Sequence, residues 1–570
     1  MDRPPDLVYA LDERPPFLPW LLLGLQHVVV ICPYLVLVAL VVEAAKVPSS
    51  RATEYMAMAM LGVVLHTILQ SLRTRFIGSG YLAPPVVSAI YLPACLAAAA
   101  TGGLSLVAGM VMAAGVCEMG LSRIVTRLRK VFPAVLSGII LMAVGIELAN
   151  IGLSIAWSSK LARSAEFGSI ELIFLCALAT MIALSVWGKG FMRLFCALIG
   201  ILVGYFVAAL VGDLPADLME NFRATGWLVL PPALPPGISF DASILVPFAI
   251  AGIASGLRTV GVLTTCQQMN DASWSRPDVK SISGGVMADG LGCALGGVFS
   301  APGLSASPSL VGIERATGAT SRSIVWSIAL WFAILACLPK LSIFIVHMPR
   351  PVMAAALFFN GAFMFVGGMQ IALSRPITIR GTFLIGTSMM LAVGTVVYPG
   401  FLHQLPAWTR QITQSPISIA TVSGVILNLV FLIGRWRFRT LSLDVNDRTV
   451  SHAEWTKFLT ASAKEWKLGS NELSRIRQTV EDLLDRIAAE DLNKDTVALR
   501  AGWDEFDVIV SIRYHGLLPD LRSHRPTKHL VEEQAFISGL TGYLSDLDAD
   551  RIDPSIRDGL CEIRLVFRAG

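Results

Sequence analysis

The sequence predicts an α-helical polytopic membrane protein, with fourteen transmembrane segments arranged as 7+7 inverted repeats and a small α+β cytoplasmic domain after them. Three observations predict it. Of 570 residues, 54% are hydrophobic and only 15% are charged, against about 25% charged in ordinary soluble domains; the mean hydropathy is +0.65. Apolar stretches of membrane-spanning length recur along the first three quarters of the chain. The charge balance then changes sign near Thr440: residues 441–570 hold 17 basic and 23 acidic residues, net −6, whereas 1–440 hold 28 and 18, net +10.

Residues 1–17 form a polar, proline-rich tail, "MDRPPDLVYALDERPP", expected on the cytoplasmic side. The apolar run after it is too long for a signal-peptide core. Within 18–436, long apolar segments fall at 18–43, 54–72, 103–121, 132–155, 169–187, 191–212, 244–266, 281–299, 324–346, 351–374, 381–398 and 415–434. Two shorter ones, 86–100 and 304–317, follow the glycine- and proline-rich stretches "GSGYLAPP" and "SAPGLSASP". Counting both gives fourteen crossings.

The loop charges agree with that count. With a cytoplasmic N-terminus, the inner segments carry nineteen Lys and Arg, from Arg3 to Arg439, and the outer ones carry eight, from Lys46 to Arg410. This is the positive-inside bias, and it puts the C-terminal domain in the cytoplasm of a bacterial inner-membrane protein.

The two short segments are crossings three and ten, the same place in each set of seven. Interrupted segments at matching positions point to a binding site between inverted repeats, with two half-helix N-termini aimed into it. One basic residue belongs to no loop. Arg258, in "GIASGLRTVGV", sits near the middle of the 244–266 span, where an arginine costs roughly 2.5–3.5 kcal/mol and marks a functional site by default. Its alternative roles are as the structural partner of a membrane carboxylate, with Glu118, Glu147 and Asp289 as candidates, or as a charge that snorkels toward the membrane surface. The nine cysteines are scattered singly and show neither disulfide nor metal-ligand spacing. No metal, no cofactor and no catalytic nucleophile–base constellation is expected.

Several motifs resemble one family. "GLQHVVV" in the first span, with Gln26 and His27, is similar to the signature of nucleobase–ascorbate transporters, the uracil/xanthine permeases of the nucleobase:cation symporter-2 group. "GSGYLAPPVVSAIYLP" resembles their third segment, "VFPAVLSGIILMAVGIELANIG" the fifth, and "SISGGVMADGLGCALGGVFSAPG" the ninth. "SLVGIERATGATSR" resembles the tenth-segment signature (Gln/Glu)-Asn-x-Gly-x4-Thr. The likeness covers about residues 16–436. It implies a core domain (segments 1–4 and 8–11), a gate domain (5–7 and 12–14), and substrate held between segments three and ten and helix eight. The candidate substrate contacts are then Arg258, Thr259, Ser307, Ser309, Leu310, Ser88, Ala89 and Ile90, supported by Gln26, His27, Gly312 and Thr317.

The departures from the family matter more. Arg258 stands where the family's Glu-x-x-Gly carries its substrate-binding carboxylate, and Ser309 and Leu310 replace the Gln/Glu and Asn; Gly312 and Thr317 are kept. An arginine offers five donors and no acceptor, so the site suits an anion or the acceptor-rich edge of a planar oxo-compound such as urate or xanthine monoanion. Distantly related fourteen-span anion transporters set a similar half-helix pair around a positive site. Arginine stays charged at any working pH, which leaves symport, exchange and facilitated transport open.

Residues 441–570 alternate helical and strand patterns. Trp455, Leu459, Ala463 and Trp466 share one helix face, and Leu473, Ile476, Val480, Leu484 and Ile487 a second. Alternating residues Phe506–Tyr514 and Ile563–Phe567 predict strands. The motif order resembles the histidine-kinase-like ATPase of anti-sigma-factor kinases, with Glu481, Asp485, Gly516 and the "SGLTGYLSDL" stretch at its nucleotide-binding positions. Asp485 replaces a magnesium-binding Asn and the adenine-reading aspartate is missing, so a regulatory or dimerising domain is expected. The domain is acidic and lacks a basic face for nucleic acid.

Together these features predict a secondary transporter for a nucleobase-like or small anionic solute. Its expected partners are that solute, membrane lipid, a second copy of the chain and a cytoplasmic regulatory protein. The alternative is a solute-sensing receptor that relays occupancy to the C-terminal domain.

Overall fold

A computed structural model describes the chain except residues 1–2, 6, 125–133, 158–167, 216–217, 232–236, 273, 275–277, 374–376, 399, 401–414, 433–436, 444–447, 467–469, 490–495, 504–506, 517–548, 558–559 and 569–570. It divides into two compact units, Met1–Val430 and Phe431–Gly570. Among the described residues, eight helices are long and apolar enough to cross a membrane, or nine if one bent pair is a single span. The first unit is that of an integral membrane protein.

The first helical stretch comprises α1 (Phe17–Ile31) and α2 (Val36–Ala44), joined by a tighter turn over Cys32–Leu35 that contains Pro33. Proline has no N–H to give to the helical ladder, so the turn is local and the axis continues. α3 (Ser49–Ser71) follows, then the three-residue strand β1 (Pro85–Val87). α4 (Leu92–Ile124) is two helices merged across a break at Gly103, whose φ of 67° and ψ of −165° only glycine adopts easily. α5 (Ala134–Trp157), α6 (Ser169–Trp187), the short α7 (Phe191–Leu194), α8 (Cys196–Val211) and α9 (Leu218–Ala224) come next.

The pattern of long helices then repeats. α10 (Leu245–Asn270) and α11 (Val279–Val298) precede a second three-residue strand, β2 (Leu304–Ala306), and the ten-residue helix α12 (Pro308–Thr317). α13 (Ile324–Ala336) and α14 (Pro339–Val346) meet at an 83° bend. Hydropathy alone predicts one straight span over 324–346. Leu338 leaves the helical region and Pro339 starts a new helix, because proline cannot continue the old one. α15 (Arg350–Ala372), α16 (Ile379–Val397) and α17 (Pro416–Leu432) complete the unit.

Small residues let these helices approach closely. A Cβ on Gly115 of α4 would lie 2.5 Å from the Gly290 carbonyl of α11, and one on Gly145 of α5 would lie 2.5 Å from the Gly361 carbonyl of α15. β1 and β2 pair antiparallel in register Pro85↔Ala306, Val86↔Ser305 and Val87↔Leu304, and all six residues are buried. Two stretches about 220 residues apart thus meet in the interior and satisfy each other's backbone groups, as a dry environment requires.

The second unit has a five-stranded antiparallel sheet in the order β3–β4–β5–β7–β6: Arg437–Leu443, Val497–Trp503, Asp507–His515, Leu560–Arg568 and Arg551–Arg557. Helices α18 (Arg448–Trp466) and α19 (Ser470–Ala489) accompany it. Its core joins Trp455, Leu459 and Trp466 of α18 and Ile476, Val480, Leu484 and Ile487 of α19 to the inward faces of the strands. The unit begins at Phe431, before the composition step near Thr440. Strand β3 already pairs with β4 from Arg437 onward, so arginines counted from sequence as a membrane-flanking loop belong to a sheet edge.

Candidate functional site

The site is built where α10 and α11 pass the paired strands. Asp289, fully buried on α11, gathers four groups. His66 Nε2 of α3 lies 2.9 Å from Oδ1, and the Ala306 backbone N–H donates to the same oxygen at 2.9 Å. Thr259 and Ser255 hydroxyls of α10 donate to Oδ2 at 2.7 and 3.5 Å. The spacing of Ser255 and Thr259, four residues apart, puts both on the α10 face that meets α11. Gly292 on α11 makes room for the imidazole: a Cβ there would run into the His66 ring. One carboxylate therefore ties α3, α10, α11 and β2 together.

Arg258 is one residue from Thr259, at the centre of α10, and 5% exposed. Its Nε and Nη2 are buried and make no hydrogen bond, and among the described residues it forms no salt bridge. Asp289, Tyr34, Tyr91 and Glu118 act on it electrostatically, in that order, and the Asp289 oxygens are already taken by other donors. Glu118 accepts the Tyr91 hydroxyl at 3.2 Å and also interacts with Asp289. Glu147, the third candidate partner, lies on α5 with its Oε2 unpartnered.

The other candidates divide into those whose polar atoms are engaged and those whose polar atoms are free. Ser309 meets the Tyr34 hydroxyl at 3.2 Å, and Tyr34 also interacts with Ser307 and Arg258. Tyr34 thus links the turn after α1 to the start of α12. The Ser307 hydroxyl is buried beside the Tyr34 hydroxyl. As the residue before α12, Ser307 makes no side-chain cap; its own N–H goes to the Pro84 carbonyl, Pro308 has none to give, and the Leu310 N–H goes to the Ser307 carbonyl at 3.3 Å. Leu310 is fully buried and apolar, and the space beside Gly312 is open: a Cβ added there would have nothing within 4 Å.

Thr259, besides its bond to Asp289, is 3.4 Å from the Ser305 hydroxyl. Ser88 sits just past β1, gives its N–H to the Gly303 carbonyl at 2.9 Å, and accepts the Ile90 N–H on its hydroxyl. Ala89 and Ile90 are buried beside it. Gln26 Oε1 and His27 Nε2 on α1 are buried and unpartnered, while His27 Nδ1 meets the Leu23 carbonyl at 2.8 Å. Thr317 bonds back to the Ile313 carbonyl.

Sequence reasoning missed Tyr34, Tyr91 and His66. His66 carried the clearest signal, as an ionisable group inside a span.

In the second unit, Thr456 donates to Glu481 at 3.1 Å, and His452 Nε2 lies 3.1 Å from Asp485. Gly516 follows β5, its carbonyl facing the Cys561 thiol at 3.4 Å. The 538–547 glycine-rich stretch lies outside the described residues. Among the described residues no cluster of metal-ligating side chains occurs.

Apolar helices packed around a buried polar cluster, with interrupted segments crossing beside it, define a membrane transporter. A family model, Xan_ur_permease of the permease family, matches residues 18–401, and the chain belongs to that family. It is 26% identical over 441 residues to xanthine permease XanP of Escherichia coli K12, covering 75% of this chain and 95% of that one. To a xanthine permease of Bacillus subtilis 168 it is 27% identical over 424 residues, covering 72% and 93%. Two solved structures share the fold at 12–13% identity: SLC26A9, with a TM-score of 0.50 over 75% of this chain and 68% of that one, and the inward-facing murine Slc26a9 anion transporter, with 0.51 over 75% and 70%. The protein is a transporter and not an enzyme.

Proposed function

We propose that the protein is a secondary permease for an anionic, nucleobase-like solute, held against Arg258 between segments three and ten and helix eight. The observation that carries this is the buried guanidinium with two donor nitrogens unbonded. Buried polar groups are nearly always hydrogen-bonded, and an unpaired buried cation is costly. A bound anion would supply the missing acceptors. The buried Ser307 hydroxyl before α12 and the space at Gly312 support the same place. Xanthine and other purines enter as the solute class through the permease relatives; the arginine selects their anionic, acceptor-bearing forms.

On this reading the first unit crosses the membrane fourteen times as two inverted repeats of seven. The segments 86–100 and 304–317 are its half-helices, both termini are cytoplasmic, and a core domain moves against a gate to give alternating access. The protein works as a homodimer. The second unit regulates transport: Glu481 and Asp485 already have protein partners, which favours regulation over nucleotide chemistry. The relatives are permeases and lend nothing to a receptor role.

A thermal-shift screen of the purified protein with uracil, xanthine, urate, small carboxylates and inorganic anions tests the proposal. Stabilisation by urate or xanthine above the pH at which each ionises, absent in Arg258→Gln, is expected. Stabilisation by neutral uracil alone would contradict it.

A further inference from the structure

The helices of the first unit pack as two bundles. α2, α3, α4, α10, α11, α13 and α14 form one, and α5, α6, α8, α15 and α16 form the other. The glycine approaches that bring helices closest, Gly115 to Gly290 and Gly145 to Gly361 among them, fall inside one bundle or the other. Polar side chains reach across the seam instead. Ser137 of α5 donates to the Leu257 carbonyl of α10 at 3.3 Å, the Tyr205 hydroxyl of α8 donates to the Phe344 carbonyl of α14, and Arg350 of α15 meets Glu43 of α2 at 2.6 Å.

The ion pair is placed for the partner bundle and not for its own helices. Glu43 is in the last turn of α2, and Arg350 is the first residue of α15. Each charge thus sits at the helix end whose dipole carries the same sign, where it destabilises its own helix. Each is compensated by the other. Beside the pair lies a cavity of about 520 Å³ with walls from both bundles: Ala39, Val42 and Ala52 on one side, Ala156 and Met353 on the other. The proposed topology puts this end of the seam at the outer face. A half-exposed pair shifts an equilibrium by about two- to fivefold, enough to bias which side is open without locking it.

We propose that Glu43 and Arg350 form the outer latch of the transporter: joined, they keep the seam shut on the outer side, and they part when the site opens to that side. The proposal rests on the alternating-access reading and names the contact that sets the balance between its states. Breaking the pair moves molecules toward the outward-open state and leaves Arg258 and its neighbours unchanged.

The test uses the full-length protein in liposomes with Ala39→Cys as a reporter. Ala39 is 4% exposed, lines the cavity, and lies one turn deeper than Glu43 on α2. Membrane-impermeant cationic and anionic methanethiosulfonates are applied in parallel, so that a changed local charge does not by itself set the rate, and modification is read on the Ala39→Cys peptide by mass spectrometry. Glu43→Gln and Arg350→Gln are each expected to speed modification by both reagents about two- to fivefold. The exchanged pair, Glu43→Arg with Arg350→Glu, is expected to return the rate to that of the reporter alone. Unchanged rates in both single variants would overturn the proposal, as would a raised rate that the exchanged pair does not lower. Labelling needs no solute, so its outcome is independent of counterflow, on which the permease reading stands.

Discussion

His66 Nε2 and Asp289 Oδ1 are 2.9 Å apart, with both side chains fully buried and 223 residues between them in the chain. The same carboxylate accepts from α10 and from the β2 backbone, so this contact sets the position of the helix that carries Arg258. Removing one partner of a buried pair costs about 3–5 kcal/mol, whereas removing one hydrogen bond to a charged group costs about 1.5–3 kcal/mol. Asp289→Ala is therefore expected to destabilise the protein more than Thr259→Val, read by thermal unfolding in detergent. The reverse order would mean that Asp289 is not the hub of the site.

Gly292 and Gly312 should answer an added methyl differently. At Gly292 a Cβ meets the His66 ring, and overpacking of that kind costs about 1–3 kcal/mol. At Gly312 nothing lies within 4 Å, and alanine suits a helix interior better than glycine by up to about 1 kcal/mol. Gly312→Ala is expected to melt no lower than wild type. A loss of uptake in that variant would show that the open space is used by the solute.

Arg350 and Glu43 form an ion pair at 2.6 Å, linking the end of α2 to the start of α15 beside a cavity of about 520 Å³. Both side chains are half exposed, and exposed pairs contribute about 0–1 kcal/mol. Arg350→Gln is expected to leave the melting temperature nearly unchanged. A large drop would show that the pair is shielded from water.

In the second unit, Mg²⁺–ATP is expected neither to raise the melting temperature of the full chain nor to be hydrolysed by it, because Glu481 and Asp485 are engaged by Thr456 and His452. A clear stabilisation would reassign the domain as a nucleotide sensor.

The sequence made some of this architecture readable for local reasons. Glycines and prolines interrupt 86–100 and 304–317, so both could be recognised as unlike the other spans. Arg258 stood out because one charge in an apolar stretch needs no alignment to be seen. The periodicity of α18 and α19 likewise exposed their buried faces. What could not be read was long-range: periodicity does not tell that His66 faces Asp289, or that Tyr34 reaches Ser309 from 275 residues away. The bend before Pro339 was hidden for another reason, since both flanking stretches are equally apolar. The strand from Arg437 was hidden by its arginines, which look like a membrane-flanking loop until their pairing with Val497–Trp503 is seen.

The central claim is that the Arg258 guanidinium contacts the transported anion, and counterflow of radiolabelled urate and xanthine in liposomes tests it most directly. With Arg258→Gln folded and melting as wild type, counterflow is predicted to fall by about tenfold or more, the loss expected for one hydrogen bond to a charged group. Counterflow equal to wild type in that variant would contradict the account and leave the arginine a structural residue of helix α10.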